Sequence, residues 1–256
     1  MLNVYRYGPE DGKTVLVVHG ITGHGKRWEA LATENLADAR VLAPDLLGHG
    51  RSSGNPPWHL ESQADALAEL LRAETRDPAL VVGHSFGGAV SIYLADRHPE
   101  LVRGLVLLDP AIGLDPSFVF DAATATVASP DYTDVTEARN EKLGGDWGEV
   151  ERRLLDAELA EHLVPTSGGR VGWRMSVPAI AAFYGELARD VVLPPAELPT
   201  VLVQARKTQP PFVTEAFKTA LVAHLGEHLT YREFDCDHMV PLALPAETEQ
   251  VIRELL

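Results

Sequence analysis

Residues 79–88 read Ala-Leu-Val-Val-Gly-His-Ser-Phe-Gly-Gly, an apolar run that stops abruptly at a pentapeptide of the form G-x-S-x-G. The run predicts a buried strand, and the glycines predict a tight turn into a helix with Ser85 at its apex. Small residues are needed two positions to either side, because the turn pushes the serine side chain clear of the backbone. The pentapeptide alone is common, but between a strand and a helix it is typical of a serine nucleophile.

The charge of the chain bears on the partners that it can bind. Its 256 residues, enough for one large domain, include 22 basic and 37 acidic side chains and carry a net charge of −15. A surface this acidic repels phosphate, so we expect neither nucleic acid nor an anionic membrane as a partner. No apolar stretch approaches the roughly 20 residues that cross a bilayer, so no integral membrane association is expected.

Cysteine usage and the N-terminal sequence bear on location. The single cysteine, Cys236, excludes a disulfide within the chain. Residues 1–7 lack the charged-then-apolar layout of a signal peptide and already resemble a strand. A cytoplasmic location is therefore expected.

Short β-rich runs alternate with helical patterns along most of the chain. Most of the runs are continuously apolar, as expected for parallel strands buried on both faces. They lie at residues 14–18, 41–43, 79–82, 105–108, 200–203 and 229–233. The intervening stretches include residues 59–72, where apolar side chains recur at helical spacing. This alternation predicts an α/β fold with a doubly wound, mostly parallel sheet.

One long stretch, from about residue 113 to residue 197, breaks the alternation. It contains no convincing strand, and its patterns predict helices near residues 147–163 and 177–191. An insertion of this length between two core strands indicates a helical cap. We therefore predict a core formed by residues 1–112 and 198–256, and a cap subdomain formed by residues 113–197.

Residues 15–26, Val-Leu-Val-Val-His-Gly-Ile-Thr-Gly-His-Gly-Lys, combine a strand with a glycine-rich loop. The loop could be an oxyanion loop, whose backbone N–H groups face the negative oxygen of a tetrahedral intermediate. It could also be a phosphate-binding P-loop, but Arg27 stands where that motif needs a serine or threonine for Mg²⁺. A plain glycine-rich turn is the third alternative. We favour the oxyanion loop.

A second glycine-containing loop, residues 45–52, reads Asp-Leu-Leu-Gly-His-Gly-Arg-Ser. Its two glycines would let the chain reverse beside the sheet edge. We interpret Asp45 and Arg51 as polar groups that fix this loop, and His49 as a loop residue rather than a catalyst.

His238 is the candidate base among the histidines. It follows the last predicted strand, near the C-terminus, within Asp-Cys-Asp-His-Met-Val-Pro at residues 235–241. Serine hydrolases of α/β architecture have the chain order serine, acid, histidine, which this position satisfies. His84 is adjacent to Ser85 and is expected to point away from it.

Four motifs occur in this chain in a fixed order. They are H-G-x-x-G at residues 19–23, D-x-x-G-x-G-x-S at 45–52, G-x-S-x-G-G at 83–88 and Asp-His at 237–238. In this combination the chain resembles the α/β-hydrolase superfamily, and in particular its serine esterase and lipase-like members with a helical cap. The resemblance spans nearly the whole chain, and the cap is its least diagnostic part.

The resemblance implies a catalytic serine and histidine, here Ser85 and His238. It also implies an oxyanion hole made by two backbone N–H groups. Carried over to this sequence, those groups belong to Ile21, which follows His-Gly, and to Phe86, which follows the nucleophile.

The acid of the implied triad departs from the usual pattern of the family. Many members carry it in the loop after the strand that follows the cap. Residues 199–212 hold neither Asp nor Glu, and Thr208 stands where we would align the aspartate. Without a carboxylate, the histidine would lose both the group that orients its ring and the group that stabilises its charged form.

Asp109 is the favoured acid, since it ends the strand at residues 105–108 and some family members place the acid there. A side chain at the C-terminal end of a strand lies on the same edge of the sheet as Ser85 and His238. An Asp-Pro at this point can also simply begin a turn. The remaining candidates for the acid are Asp115, Asp235 and Asp237.

Taken together, the motifs and the resemblance imply a hydrolase that cleaves an ester-type bond of a small, apolar substrate through an acyl-enzyme. No cofactor or metal is expected, because no ligand set at metal spacing is present. A C–C bond hydrolase or a cofactor-free haloperoxidase would use the same triad, and a non-catalytic sensor of a small ligand would use the same fold. The oligomeric state stays open.

Overall fold

The computed structural model describes residues 1–256, and a seven-stranded sheet lies at its centre. The strands in chain order are β1 Val4–Tyr7, β2 Thr14–Val18, β3 Arg40–Pro44, β4 Ala79–His84, β5 Val102–Leu108, β6 Asp131–Tyr132, β7 Leu163–Pro165, β8 Val171–Trp173, β9 Thr200–Ala205 and β10 Leu229–Phe234. The helices are α1 Leu60–Glu74, α2 Phe86–Arg97, α3 Pro116–Ala128, α4 Val135–Gly144, α5 Arg152–His162, α6 Val177–Leu187, α7 Glu215–Leu225, α8 Val240–Ala243 and α9 Pro245–Arg253.

The main sheet has the strand order β1-β3-β2-β4-β5-β9-β10. Only β1 pairs antiparallel with its neighbour, and every other pair is parallel. Helices α1, α2 and α7 connect successive parallel strands, because a parallel crossover must return the chain to the same end of the sheet. The predicted α/β fold with a mostly parallel sheet is therefore confirmed.

Apolar side chains cover both faces of this sheet. Leu16 and Val18 of β2 belong to one buried cluster, whereas Val15 and Val17 belong to a second cluster. Because successive strand residues point to opposite faces, a strand covered on both sides must be apolar throughout. Burial of each such side chain contributes roughly 1.5–3 kcal/mol. The continuous apolar runs in the sequence follow from this arrangement.

Residues 113–197, which lie between β5 and β9, are called the inserted segment below. It contains α3 to α6, but it also contains a three-stranded antiparallel sheet in the order β6-β8-β7. The expectation that this stretch holds no strand is therefore wrong. These strands have only two or three residues each, which is too short for a period of two to show in the sequence. The division into core and cap subdomains stays a prediction.

The parallel strands bring the candidate residues to one edge of the sheet. Ser85 follows β4 directly and Asp109 follows β5 directly. Backbone hydrogen bonds extend the sheet past both strand ends, from Ser85 N to Leu108 O at 3.1 Å and from Asp109 N to Val203 O at 2.7 Å.

No helix in the chain has the length and apolar character needed to cross a membrane.

Candidate active site

Ser85 occupies a strained turn between β4 and α2. Its backbone has φ 55° and ψ −123°, a region that residues other than glycine rarely adopt and that costs about 1–3 kcal/mol. A Cβ on Gly83 would lie 2.4 Å from the Gly87 carbonyl oxygen, and a Cβ on Gly87 would lie 2.3 Å from the Val18 carbonyl oxygen. Only glycine fits at these two positions, which explains the G-x-S-x-G spacing.

His238 and Asp109 form a buried pair. The His238 Nδ1 and Asp109 Oδ2 atoms are 2.7 Å apart, and the two residues are 6% and 0% exposed. The carboxylate also accepts hydrogen bonds from Ala205 N at 3.0 Å and from Thr208 Oγ1 at 3.3 Å. Because a carboxylate only accepts, Nδ1 carries the proton, and Nε2 of His238 is left with a free lone pair.

The other candidate acids have different partners. Asp115 caps the N-terminus of α3 by accepting from Ser117 N and Phe118 N, and Asp235 pairs with Arg206 at 2.9 Å. Asp237 accepts from the backbone N–H of His238 and does not contact its ring. Of the four aspartates, only Asp109 contacts the imidazole. Thr208, at the position where a family aspartate would align, instead donates to Asp109.

His84 contacts the candidate base His238, a contact that the sequence analysis did not predict. Its Nε2 donates to the backbone carbonyl of His238 at 2.7 Å, and the two rings are 4.7 Å apart. Burial lowers the pKa of His84 well below its usual value, so the ring is neutral. The sequence analysis set His84 aside because it adjoins Ser85. Its contact with His238 joins residues 154 positions apart and leaves no local signal in the sequence.

The glycine-rich loop after β2 lies against Ser85. A Cβ on Gly20 would be 2.9 Å from the Ser85 Cβ and 3.4 Å from its Oγ. His19 fixes the start of this loop, because its Nδ1 donates to the Gly20 carbonyl at 2.8 Å and its Nε2 accepts from Leu46 N at 3.0 Å. Burial lowers the pKa of His19 and keeps it neutral, as both bonds require.

Both predicted oxyanion donors lie near the nucleophile. Ile21 lines the same cavity as Ser85. Phe86 begins α2, so its N–H is among the four that a helix N-terminus leaves without an intrahelical partner. The positive end of the helix dipole is directed to the same place.

The cavity that contains these groups has a volume of about 200 Å³. Ser85, His84 and His238 line it, together with mostly apolar side chains of the core and the inserted segment. Asp146 of the inserted segment is the one carboxylate in the lining. The residue as a whole is exposed, but neighbouring atoms of the cavity shield its carboxyl group from water. This desolvation raises the pKa of Asp146, with a smaller opposing effect of His238. Nowhere in the chain do three or more His, Cys, Asp or Glu side chains form a group that could hold a metal ion.

The loop at residues 45–52 is held by its aspartate. Asp45 accepts from Gly25 N at 2.7 Å and from Arg51 N at 2.8 Å, which joins this loop to the glycine-rich loop. His49 is buried against Phe183, with ring centroids 5.5 Å apart, and burial lowers its pKa to about 4. These contacts agree with a structural interpretation of Asp45 and His49, whereas the Arg51 side chain contacts Tyr5 and Glu161 outside the loop.

A group of charged side chains, called the Glu158 cluster below, lies beside the cavity. It comprises Glu158 of α5, Lys142 of α4, and His24 and Arg27 of the core. Glu158 contacts His24 Nε2 at 2.9 Å, Arg27 Nη2 at 2.5 Å and Lys142 Nζ at 3.2 Å. Burial alone would raise the pKa of Glu158, but these neighbouring charges lower it well below its usual range. The Arg27 side chain is thus committed to a carboxylate, which disfavours a phosphate site in this loop.

Lys142 makes stability depend on pH. Burial lowers its pKa from 10.5 to about 8, although Glu158 opposes the shift. Between these pH values the unfolded chain binds a proton that the folded chain does not, so the free energy of unfolding rises with pH. We expect the free energy of unfolding of wild type, minus that of Lys142→Met, to increase by about 3 kcal/mol from pH 7 to pH 11. Urea unfolding at a series of pH values measures this difference, and a flat profile would contradict it.

Comparisons with known proteins identify the family of the chain. The model of a family described as alpha/beta hydrolase fold matches residues 13–242. The lipase LipV of Mycobacterium tuberculosis is 49% identical over 255 residues, which cover 100% of this chain and 97% of that protein.

Solved structures show the same fold at lower identity. The structure of E-2-(acetamidomethylene)succinate hydrolase superposes with a TM-score of 0.82 at 24% identity, covering 99% of this chain and 94% of that one. A marine microorganism esterase superposes with a TM-score of 0.80 at 20% identity, covering 100% and 99%. Together with the family model and the full-length relative, these matches establish that the chain belongs to the α/β-hydrolase fold family.

Proposed function

We propose that the protein is a serine hydrolase that cleaves an ester bond of a small, neutral, mainly apolar substrate through an acyl-enzyme. Its family and its LipV relative support an ester-acting α/β hydrolase of the lipase and esterase type. The observation that carries the mechanism is the 2.7 Å contact between His238 Nδ1 and Asp109. It leaves Nε2 as a base in the cavity that Ser85 lines.

In the acylation step, the Ser85 Oγ attacks the ester carbonyl carbon as His238 Nε2 removes the hydroxyl proton. The new C–O bond forms while the carbonyl electron pair moves to oxygen. Asp109 stabilises the imidazolium that results, and it keeps the ring in the required tautomer. The C–O bond to the alcohol then breaks, and His238 donates its proton to the leaving oxygen.

The negative oxygen of the intermediate is held by the N–H groups of Ile21 and Phe86. Each such donor typically contributes about 10²–10³-fold in rate, because it is already oriented when the charge develops. Water then attacks the acyl-enzyme with His238 as the base, which releases the acid and restores Ser85.

The cavity supports a small and uncharged substrate. Its volume of about 200 Å³ is below the range of roughly 300–1,000 Å³ that is usual for small-molecule sites. The guanidinium of Arg27 is paired with Glu158, whereas Asp146 adds a carboxylate to the lining. Asp146 would therefore repel a substrate that carries a carboxylate of its own.

A series of chromogenic esters tests this proposal. We expect p-nitrophenyl esters of short acids, from acetate to about octanoate, to give the highest kcat/KM, with a decline for longer chains because of the small cavity. A p-nitrophenyl ester whose acid carries a terminal carboxylate should be at least about tenfold slower than its neutral counterpart.

The same series is run on Ser85→Ala, which should show only the background rate. A flat rate that does not depend on Ser85 would overturn the proposal. Turnover of a vinylogous diketone without turnover of any ester would assign C–C bond hydrolysis instead.

A further inference from the structure

Glu158 ties the inserted segment to the glycine-rich loop. The residue is 3% exposed, and its two oxygens contact both Nη2 and Nε of Arg27, at 2.5 and 3.1 Å. A two-point contact of this kind fixes both the position and the plane of the guanidinium. Breaking it would leave uncompensated charge in a buried place, which is strongly destabilising.

The guanidinium of Arg27 in turn contacts the glycine-rich loop. Its Nη2 donates to the Thr22 carbonyl at 3.3 Å. A Cβ on Gly23 would lie 2.9 Å from Nη1, so the guanidinium packs directly on the loop backbone. The guanidinium carbon also lies 5.2 Å from the centre of the Trp147 ring. Thr22, Arg27 and Trp147 all line the cavity that contains Ser85.

Thr22 is held in an unfavourable backbone conformation. Its φ is 61°, which for a β-branched residue is uncommon and costs about 1–3 kcal/mol. Such a conformation persists only where its surroundings impose it. Arg27 supplies a restraint there, one residue after Ile21.

We propose that Glu158 is a positioning residue for the oxyanion loop. Its carboxylate fixes Arg27, Arg27 holds Thr22, and the Ile21 N–H is thereby kept beside Ser85. The proposal rests on the oxyanion role proposed above for Ile21. It implies that the inserted segment, which supplies Glu158, sets the geometry of the reaction as well as the shape of the cavity.

A matched residue separates this role from simple anchoring of the inserted segment. Glu161 lies on the same helix and also reaches the core, through Lys26 at 3.4 Å and through Arg51. Lys26 is the last residue of the glycine-rich loop, but only Arg27 donates to the Thr22 carbonyl, and neither Lys26 nor Arg51 does so. Removal of the Glu161 charge should therefore loosen α5 without disturbing the oxyanion loop.

The experiment compares Glu158→Gln with Glu161→Gln on p-nitrophenyl acetate, and thermal melting checks that each variant is folded. Glu158→Gln should lower kcat by about 10–100-fold with little change in KM, because displacing a reacting group by about 1 Å costs about 10² in rate. Glu161→Gln should keep the wild-type kcat. A purely anchoring role would lower the melting temperature of both variants and leave both kcat values unchanged.

A second variant covers the case in which Glu158→Gln does not fold. Arg27→Lys keeps the positive charge for Glu158 but loses the planar, two-sided contact, so it should show a similar loss of kcat. The double variant should be no worse than the more severe single variant if both act through Thr22.

A wild-type kcat in Arg27→Lys, with Ser85→Ala inactive in the same assay, would overturn the positioning role alone. An active Ser85→Ala would instead overturn the proposed function.

Discussion

Replacing Ser85 by alanine should lower kcat/KM for p-nitrophenyl acetate by about 10⁶-fold, because the hydroxyl that His238 activates to form the acyl-enzyme is lost. His238→Ala should cost a similar amount, since the hydroxyl attacks only when a base removes its proton. The double variant should be no slower than either single variant, because nucleophile and base act as a unit. Stopped assays at high enzyme concentration measure these residual rates.

Ser91 offers a matched control for the serine replacement. It lies on α2, the helix that follows Ser85, where it is fully buried and its Oγ donates to the Gly87 carbonyl at 2.7 Å. Ser91→Ala removes one hydrogen bond, for about 1 kcal/mol of stability, and should keep most of the activity. Activity that survives in Ser85→Ala would contradict the assignment of the nucleophile.

Asp109→Asn should lower kcat by about 10⁴-fold with little change in KM. The asparagine amide would donate to Nδ1 of His238, and the ring proton would then be bound to Nε2. Nε2 could no longer accept the Ser85 proton. The fold should survive, because the amide oxygen can still accept the hydrogen bond that Ala205 N now gives to Asp109. Steady-state kinetics on a variant with a wild-type circular dichroism spectrum measures the effect.

Asp237→Asn is the control for the acid. Asp237 is adjacent to the base, but it accepts only from the backbone N–H of His238, which an asparagine oxygen does equally well. This variant should keep the wild-type kcat. The acid would be wrongly assigned if Asp237→Asn were the inactive variant and Asp109→Asn the active one.

The sequence predicts those parts of the molecule whose signals are local. The apolar runs of β2 and β4 reveal buried parallel strands, because a strand covered on both faces is apolar at every position and the run is visible within a few residues. The glycines at 83 and 87 predict the turn, because backbone atoms within a few ångströms exclude any side chain there. Asp109 could be favoured from its place at a strand end, although no pattern in the sequence pairs it with His238.

The remaining parts depend on contacts between distant residues. Glu158 meets His24 across 134 positions and Arg27 across 131, and on its helix it looks like an ordinary charged residue. The small sheet of the inserted segment is equally hidden, because two- and three-residue strands form only when their partners are already in place. Thr208 stands at the position where a family aspartate would align, and its hydroxyl donates to the carboxylate of Asp109, which follows β5.

Covalent labelling with a fluorophosphonate, followed by peptide mass spectrometry, tests the central claim most directly. The probe reacts only with a serine that a base activates and an oxyanion hole supports. We predict one adduct per chain, located on Ser85, absent from Ser85→Ala and formed much more slowly in Asp109→Asn. An adduct on another residue, or full ester turnover by a protein that takes up no label at Ser85, would contradict the account.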